Sequence, residues 1–355
     1  MKTRIGFDHY TISRRGFSPA ATLRFAKAHR FDGVQFPDAA SIDESLDADP
    51  LTSFRGQAAE LGLYIEAGIP SPNPVRRSRE LNRPVSAREM AQSLAPHVEA
   101  LAALGCRQAR AYIGDRHDRF RTDVTWDSQV AASLEVLREL TPQLKDLGVR
   151  LAIETHADLT ARELIALLDQ LDPDVAGVTL DTGNLAMRLD DPLSAAEQLA
   201  PFVVMTHIKD MALAFTARGL CWQARPVGSG ILPIPDILAA ILCVRPEIAL
   251  SIELHPRIYD LPIYDPRWLA WFPDLRPDSL AAVVRLAAEC ERRYADGSMA
   301  RPEEVEAVPW ESRDLDWLAS SLGYLRSVVP TLIESACDLS PTAEAPYPTP
   351  EAPSP

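Results

Sequence analysis

Histidine is scarce in this chain, with seven in 355 residues. Cysteine is scarcer still, at five, and no two stand as C-x-x-C or beside a histidine at zinc-finger spacing. That excludes a closed structural zinc site and a disulfide framework, and the thiols read as reduced in a cytoplasmic protein. The opening run MKTRIGFDHY lacks the apolar stretch of a signal peptide. No apolar run approaches the ~20 residues a membrane helix needs, so no membrane partner is expected. Basic residues fall short of acidic ones, 36 against 50, giving a formal net charge of −14. Such a surface repels phosphate backbones, which excludes nucleic acid as a partner. No G-x-G-x-x-G follows the first strand-like run, which argues against a dinucleotide fold.

What is present is alternation. Short apolar, β-branched runs are followed by Ala/Leu-rich helical runs. The strand candidates are Arg4–Phe7, Gly33–Phe36, Leu63–Ala67, Gln108–Ile113, Arg150–Glu154, Gly177–Leu180, Val203–Ile208 and Ala249–Leu254. Helices are predicted between them, two with start signals: Ser18 before Pro19, and Thr160 with Glu163 three residues on. Strands alternating with helices predict a parallel sheet, and eight units predict a closed (β/α)8 TIM barrel of the α/β class. The predicted organisation is a barrel over 1–295, a C-terminal helical extension over 296–339 carrying Trp310 and Trp317, and a disordered Pro-rich tail over 340–355. Met211–Gly230 reads as a long loop. His255–Pro277, with Trp268 and Trp271, reads as a structured loop that either lids the mouth or makes a subunit contact, so a homo-oligomer stays open.

In such a barrel the active site lies at the C-terminal strand ends. There the fifth strand delivers Glu154, the sixth Asp181, the seventh His207 and the eighth Glu253. Glu154 to Asp181 spans 27 residues and Asp181 to His207 spans 26, each about one βα repeat. Three carboxylates in one mouth repel unless a cation joins them. The oxygen and nitrogen donors suit a divalent metal, Mn²⁺ first, with Mg²⁺, Co²⁺ or Fe²⁺ as alternatives. His156 lies two residues beyond Glu154, on the same face of an extended strand, and is a rival to Glu154 and Glu253 as catalytic base. Substrate-binding candidates are Asp8, His9 and Tyr10 at the end of the first strand, Arg110 at the end of the fourth, Asn184 after the sixth, Lys209 and His255. Arg110 reads as a receptor for a carboxylate or phosphate, or as a partner of Glu66; Lys209 reads as a substrate contact or a partner of Asp210.

The motifs I-E-T-H, L-D-T-G-N, H-I-K-D, R-P-V-G-S-G and I-E-L-H fall at these strand ends and the loop between the last two. With them the chain resembles the xylose-isomerase-like TIM barrels, the superfamily of sugar phosphate isomerases and epimerases, over about residues 4–290. The resemblance implies that Glu154, Asp181, His207 and Glu253 hold the metal, and that Arg225, with Gly228 and Gly230, shapes the substrate pocket. It also marks departures. Many relatives have His where Asn184 stands and Glu where Gln35 stands. Zinc-cluster endonucleases built on this barrel need more ligands and a basic face, against the charge of −14 here.

The chemistry such a site shares is proton abstraction next to a carbonyl, through a metal-stabilised enediolate. The expected function is therefore a sugar or sugar-phosphate isomerase or epimerase. The alternative is a lyase, dehydrating, β-eliminating or decarboxylating, on an oxo-sugar, oxo-glycoside or sugar-derived oxo-acid. The expected partner is a small carbohydrate or such an oxo-acid.

Overall fold

The computed structural model describes residues 3–338. The eight predicted strands are present as β1 (Ile5–Asp8), β2 (Gly33–Phe36), β3 (Tyr64–Gly68), β4 (Gln108–Ala111), β5 (Arg150–Glu154), β6 (Ala176–Asp181), β7 (Val203–His207) and, after a hairpin, β10 (Leu250–Ile252). They pair in parallel in the order β10-β1-β2-β3-β4-β5-β6-β7. The remaining seam is joined just past the end of β7, where Ile208 bridges to Ile252 and donates its N–H to Ser251 O at 2.7 Å. Helices lie between the strands, so the strands are buried on both sides and read as apolar runs. The two start signals are caps: Ser18 accepts Ala21 N–H, and Thr160 and Glu163 form a reciprocal capping box.

The segment Met211–Gly230 is not a loop. It contains a hairpin, β8 (Asp210–Thr216) and β9 (Gly219–Arg225), joined by a two-residue turn. With β11 (Ile258–Leu261) it makes a three-stranded antiparallel sheet in the order β11-β9-β8. The sequence disguised it in two ways. Most of its residues are buried, so no polar face alternates with an apolar one. Its turn, Ala217-Arg218, lacks the Asn-Gly or Asp-Gly signature. Because β8 begins three residues after His207, this sheet rises from the mouth of the barrel and becomes a wall of the cavity there.

The C-terminal helix Asp314–Asp338 packs back on the barrel through Leu318, Leu322, Leu325 and Val329, a helical stripe buried against it. Its start is tied to the segment that follows β1. Arg15 Nη2 meets Asp314 Oδ1 at 2.6 Å, and Trp310 Nε1 donates to Thr11 O at 3.1 Å. The stretch Ser340–Pro355, expected to be disordered, lies outside the described residues. Among the described residues no helix is long and apolar enough to cross a membrane.

At the other end of the barrel Glu66 stands on β3 with Ser251 Oγ donating to it at 3.3 Å. Burial pushes its carboxyl from 4.5 up to about 7. Between those values the folded protein keeps a proton that the unfolded chain releases, so stability falls as pH rises through the window and is level above it. Glu66→Gln is expected to melt with the wild type near pH 4.5 and roughly 2–6 °C above it at pH 8. Thermal melts at both values check this; a constant difference would mean that Glu66 does not titrate there.

Candidate metal centre

Each member of the four-residue set ends or follows a neighbouring strand. Glu154 ends β5, Asp181 ends β6 in register with His207 at the end of β7, and Glu253 follows β10. Their donor atoms all lie within 4.8 Å of one another. Glu154, Asp181 and His207 are fully buried and Glu253 is 9% exposed. The His207 ring faces the carboxylates with Nδ1, 3.0 Å from Glu154 Oε1 and 3.6 Å from Glu253 Oε2. Its other nitrogen, Nε2, stands 3.2 Å from Asp8 Oδ2. A metal-ligating histidine is typically oriented by a carboxylate on its far nitrogen, and Asp8 is placed for that role. Asp181 Oδ1 accepts the backbone N–H groups of Gly183 (3.0 Å) and Asn184 (3.2 Å), and Asn184 Nδ2 donates to its Oδ2 at 2.7 Å.

Lys209 reaches into the cluster. Its Nζ lies 2.8 Å from Asp181 Oδ2 and bonds Glu253 Oε2. Gly183 makes room for it, since a Cβ there would collide with Lys209 Cγ. The alternative Lys209–Asp210 pair is not formed, since Lys209 is held by Asp181 and Glu253. Asp210 instead accepts the N–H groups of Met211 (2.8 Å), Gly228 (3.1 Å), Gly230 (2.9 Å) and Leu232 (2.9 Å), which folds the R-P-V-G-S-G turn around its carboxylate. Gly230 is required there, for a Cβ would strike Asp210 Oδ1.

The electrostatics follow from this crowding. Burial would raise Glu154, but Arg110 Nη1 at 2.7 Å, then His156 and His207, outweigh it and hold the carboxyl well below its ordinary range. Burial likewise opposes ionisation of Glu253, and Lys209 and His207 hold it ionised. Burial pushes Asp181 up to about 7, Lys209 pulling against the two glutamates. His207 is raised well above 6.5 by Glu253 and Glu154 despite its burial. Three carboxylates thus share whatever positive charge is at hand. A divalent cation suits that donor set, three oxygens and an imidazole nitrogen with no sulfur.

A cavity of about 370 Å³ opens above the cluster. Of the residues singled out in the sequence, Asp8, Tyr10, Arg110, His156, Asn184, Lys209, Glu253 and His255 line it. His156 Nδ1 lies 2.9 Å from Gly114 O, and its ring packs on Tyr112 with centroids 4.7 Å apart. A carbonyl only accepts, so Nδ1 carries a hydrogen and Nε2 is the nitrogen left to exchange a proton with a bound molecule. His255 stacks on Trp222 at 5.5 Å, and burial, with Lys209 nearby, pushes it down to about 4.

Two of the expected residues do not line the cavity. Arg225 does not reach the cavity; from the end of β9 its Nη2 donates to Ala300 O at 2.7 Å, beneath the extension. His9 sits between Asp8 and Tyr10, which line the cavity, but turns away and stacks on Phe36 at 5.7 Å. The cause is the 3₁₀ turn His9–Arg15, capped by Asp8, which takes the chain off the strand at that residue. Arg110 pairs with Glu154 and not with Glu66. Trp268 and Trp271 do not line the cavity. They pack on Phe120, which does, at 5.7 and 5.8 Å. Sequence reasoning missed Arg116, His117, Arg188 and Tyr259 on the cavity wall. They lie off the barrel strand ends, where no spacing rule points to them. Gln35 is fully buried, and neither polar atom of its side chain has a partner.

Residues 23–267 match the family described as xylose isomerase-like TIM barrel. The chain belongs to this family. A protein named 3-oxo-isoapionate decarboxylase, from Pectobacterium atrosepticum, is 26% identical over 215 residues, 60% of this chain and 68% of that one. Solved xylose isomerase-like barrels have the same fold. A 3-keto-D-glucoside 4-epimerase from E. coli superposes with a TM-score of 0.54 at 17% identity, covering 80% of this chain and 100% of that one. A D-psicose 3-epimerase gives 0.55 at 16%, covering 82% and 98%. The IOLI protein, solved with a zinc atom, gives 0.54 at 16%, covering 84% and 100%.

Proposed function

We propose that the protein is a divalent-metal-dependent enzyme that breaks a bond beside the carbonyl of a sugar-derived oxo-acid, with release of CO₂. The observation that carries this reading is the unequal access of the two ligand glutamates. Glu253 lines the cavity, whereas Glu154 is closed off by Arg110 at 2.7 Å and His207 at 3.0 Å. Epimerisation takes a proton from one face of a carbon and returns one to the other, so it needs a group on each side. Loss of CO₂ needs one proton, delivered to the carbon left behind. The relative from Pectobacterium atrosepticum, by its name a decarboxylase of a 3-oxo acid, agrees with this reading.

Glu154, Asp181, His207 and Glu253 would hold the metal, with Mn²⁺ proposed on donor type. When bound, a divalent cation polarises a substrate carbonyl and stabilises negative charge gathering on its oxygen. Asp8 and Asn184 orient His207 and Asp181. As the bond to the carboxylate breaks, its electron pair stays on the α-carbon and spreads to the carbonyl oxygen, and CO₂ departs. His156, protonated at Nε2 from solvent, delivers that proton to the carbon. Isomerisation or epimerisation of a sugar is the second reading, favoured by the presence of both glutamates in one 4.8 Å cluster.

The test is NMR in D₂O after incubating metal-loaded protein with 3-oxo-isoapionate and a panel of oxo-acids and ketoses, the metal being removed before the spectrum. CO₂ release with one deuterium on the adjacent carbon supports the decarboxylase. Deuterium beside a carbonyl with every carbon retained replaces it with the second reading.

A further inference from the structure

Four residues after Asp181 the chain enters a short 3₁₀ turn, Leu185–Arg188, closed by Leu189 in the left-handed region (φ 62°), a conformation costly for leucine. The turn carries Arg188 to the wall of the substrate cavity. The residue is only 4% exposed, yet its Nε and Nη1 have no hydrogen-bond partner. A buried guanidinium without a counterion is expensive, and proteins avoid it unless something arrives to pair with it.

The nearby charges do not meet that need. Arg119 repels it, and burial together with Arg119 pushes Arg188 down to about 9. Glu163 is taken in a two-point pair by Arg119, at 2.7 and 2.9 Å. Asp158 accepts Gly114 N–H at 2.8 Å and Leu159 N–H at 2.7 Å, and Asp190 accepts Ala161 N–H at 2.9 Å. What holds Arg188 is aromatic. The rings of Phe120 and Phe272 each lie 5.5 Å from its guanidinium carbon. They support a cation and leave Nε and Nη1 unpaired.

We propose that Arg188 is the anion receptor of the substrate cavity, and that the group it receives is a carboxylate of the substrate. The inference rests on the reading of this cavity as the substrate site. A planar guanidinium binds a planar carboxylate at two points and so fixes its plane. For an oxo-acid that sets the bond to be broken against the carbonyl, which is the alignment on which the spreading of its electron pair depends. Arg188 is thus a specificity and positioning residue for acids over neutral sugars.

The probes are threonate and threitol, a four-carbon sugar acid and the neutral alditol that differs from it by one carboxylate. Calorimetric titration of the full-length, metal-loaded wild type should show tighter binding of threonate. Arg188→Met should weaken threonate by roughly 30-fold or more and leave threitol unchanged. The ligand-free variant should melt no lower than the wild type, since an unpaired buried charge has been removed. Arg188→Lys, which keeps the charge but not the fork, should lie between. A threonate preference that survives Arg188→Met, or a lower melting temperature with both ligands lost, would overturn the inference; should the Met variant not fold, a Lys variant with wild-type discrimination does the same. Arg188-dependent acid preference without CO₂ release would sink the decarboxylase reading alone.

Discussion

Glu253→Gln is expected to cut turnover by roughly 10³-fold or more and to weaken metal retention by at least roughly 100-fold. Glu253 is the one member of the set that touches both the cluster and the cavity. It faces His207 Nδ1 at 3.6 Å, bonds Lys209, and lines the space where substrate must lie. Glutamine keeps its size and one oxygen but removes the charge. It also puts an amide donor where Lys209 Nζ and any cation require an acceptor. The fold should survive, since Lys209 keeps Asp181 at 2.8 Å. Steady-state turnover and metal content, measured on the same samples, check the prediction. Near-wild-type activity with bound metal retained would remove Glu253 from the site. Glu253→Asp, which keeps the charge, should retain more metal than the glutamine variant.

His156→Ala is expected to act differently: metal content unchanged and the rate at saturating substrate lower by roughly 10²–10⁴-fold, the usual worth of a positioned acid or base. His156 is outside the ligand cluster, so its loss leaves all four donors in place. It is oriented by Gly114 O at 2.9 Å and by the Tyr112 ring, so the free nitrogen is in a defined place before substrate arrives. Added imidazole should restore part of the rate by filling the space. An unchanged rate would pass the proton to Glu253, the ligand glutamate that lines the cavity.

The barrel was legible in the sequence because its strands are buried on both sides and follow one another at the interval of a βα unit. Glu154, Asp181, His207 and Glu253 could be found for the same reason: each is the polar residue at the end of such a run. What lay beyond the strand ends was not legible. The β8–β9 hairpin carries no polar face and no hairpin turn signature. Arg225 has the right place in a motif, but β9 turns its side chain under the extension, toward Ala300. Asp8, His9 and Tyr10 were all candidates, and one 3₁₀ turn, which the sequence does not announce, decides that His9 alone of the three faces away from the cavity. Lys209 was a candidate, but its reach into the metal cluster depends on the absence of a Cβ at Gly183, and the place of Arg188 depends on packing against two phenylalanines, contacts between residues far apart in the chain.

The central claim is that Glu154, Asp181, His207 and Glu253 hold one catalytic metal ion. Elemental analysis by mass spectrometry, after chelation, reloading with Mn²⁺ and desalting, tests it most directly. The account predicts about one ion per chain in the wild type and near none in Asp181→Asn, His207→Ala and Glu253→Gln, with helical content unchanged. A wild type that takes up no ion, or variants that keep a full equivalent, would contradict it.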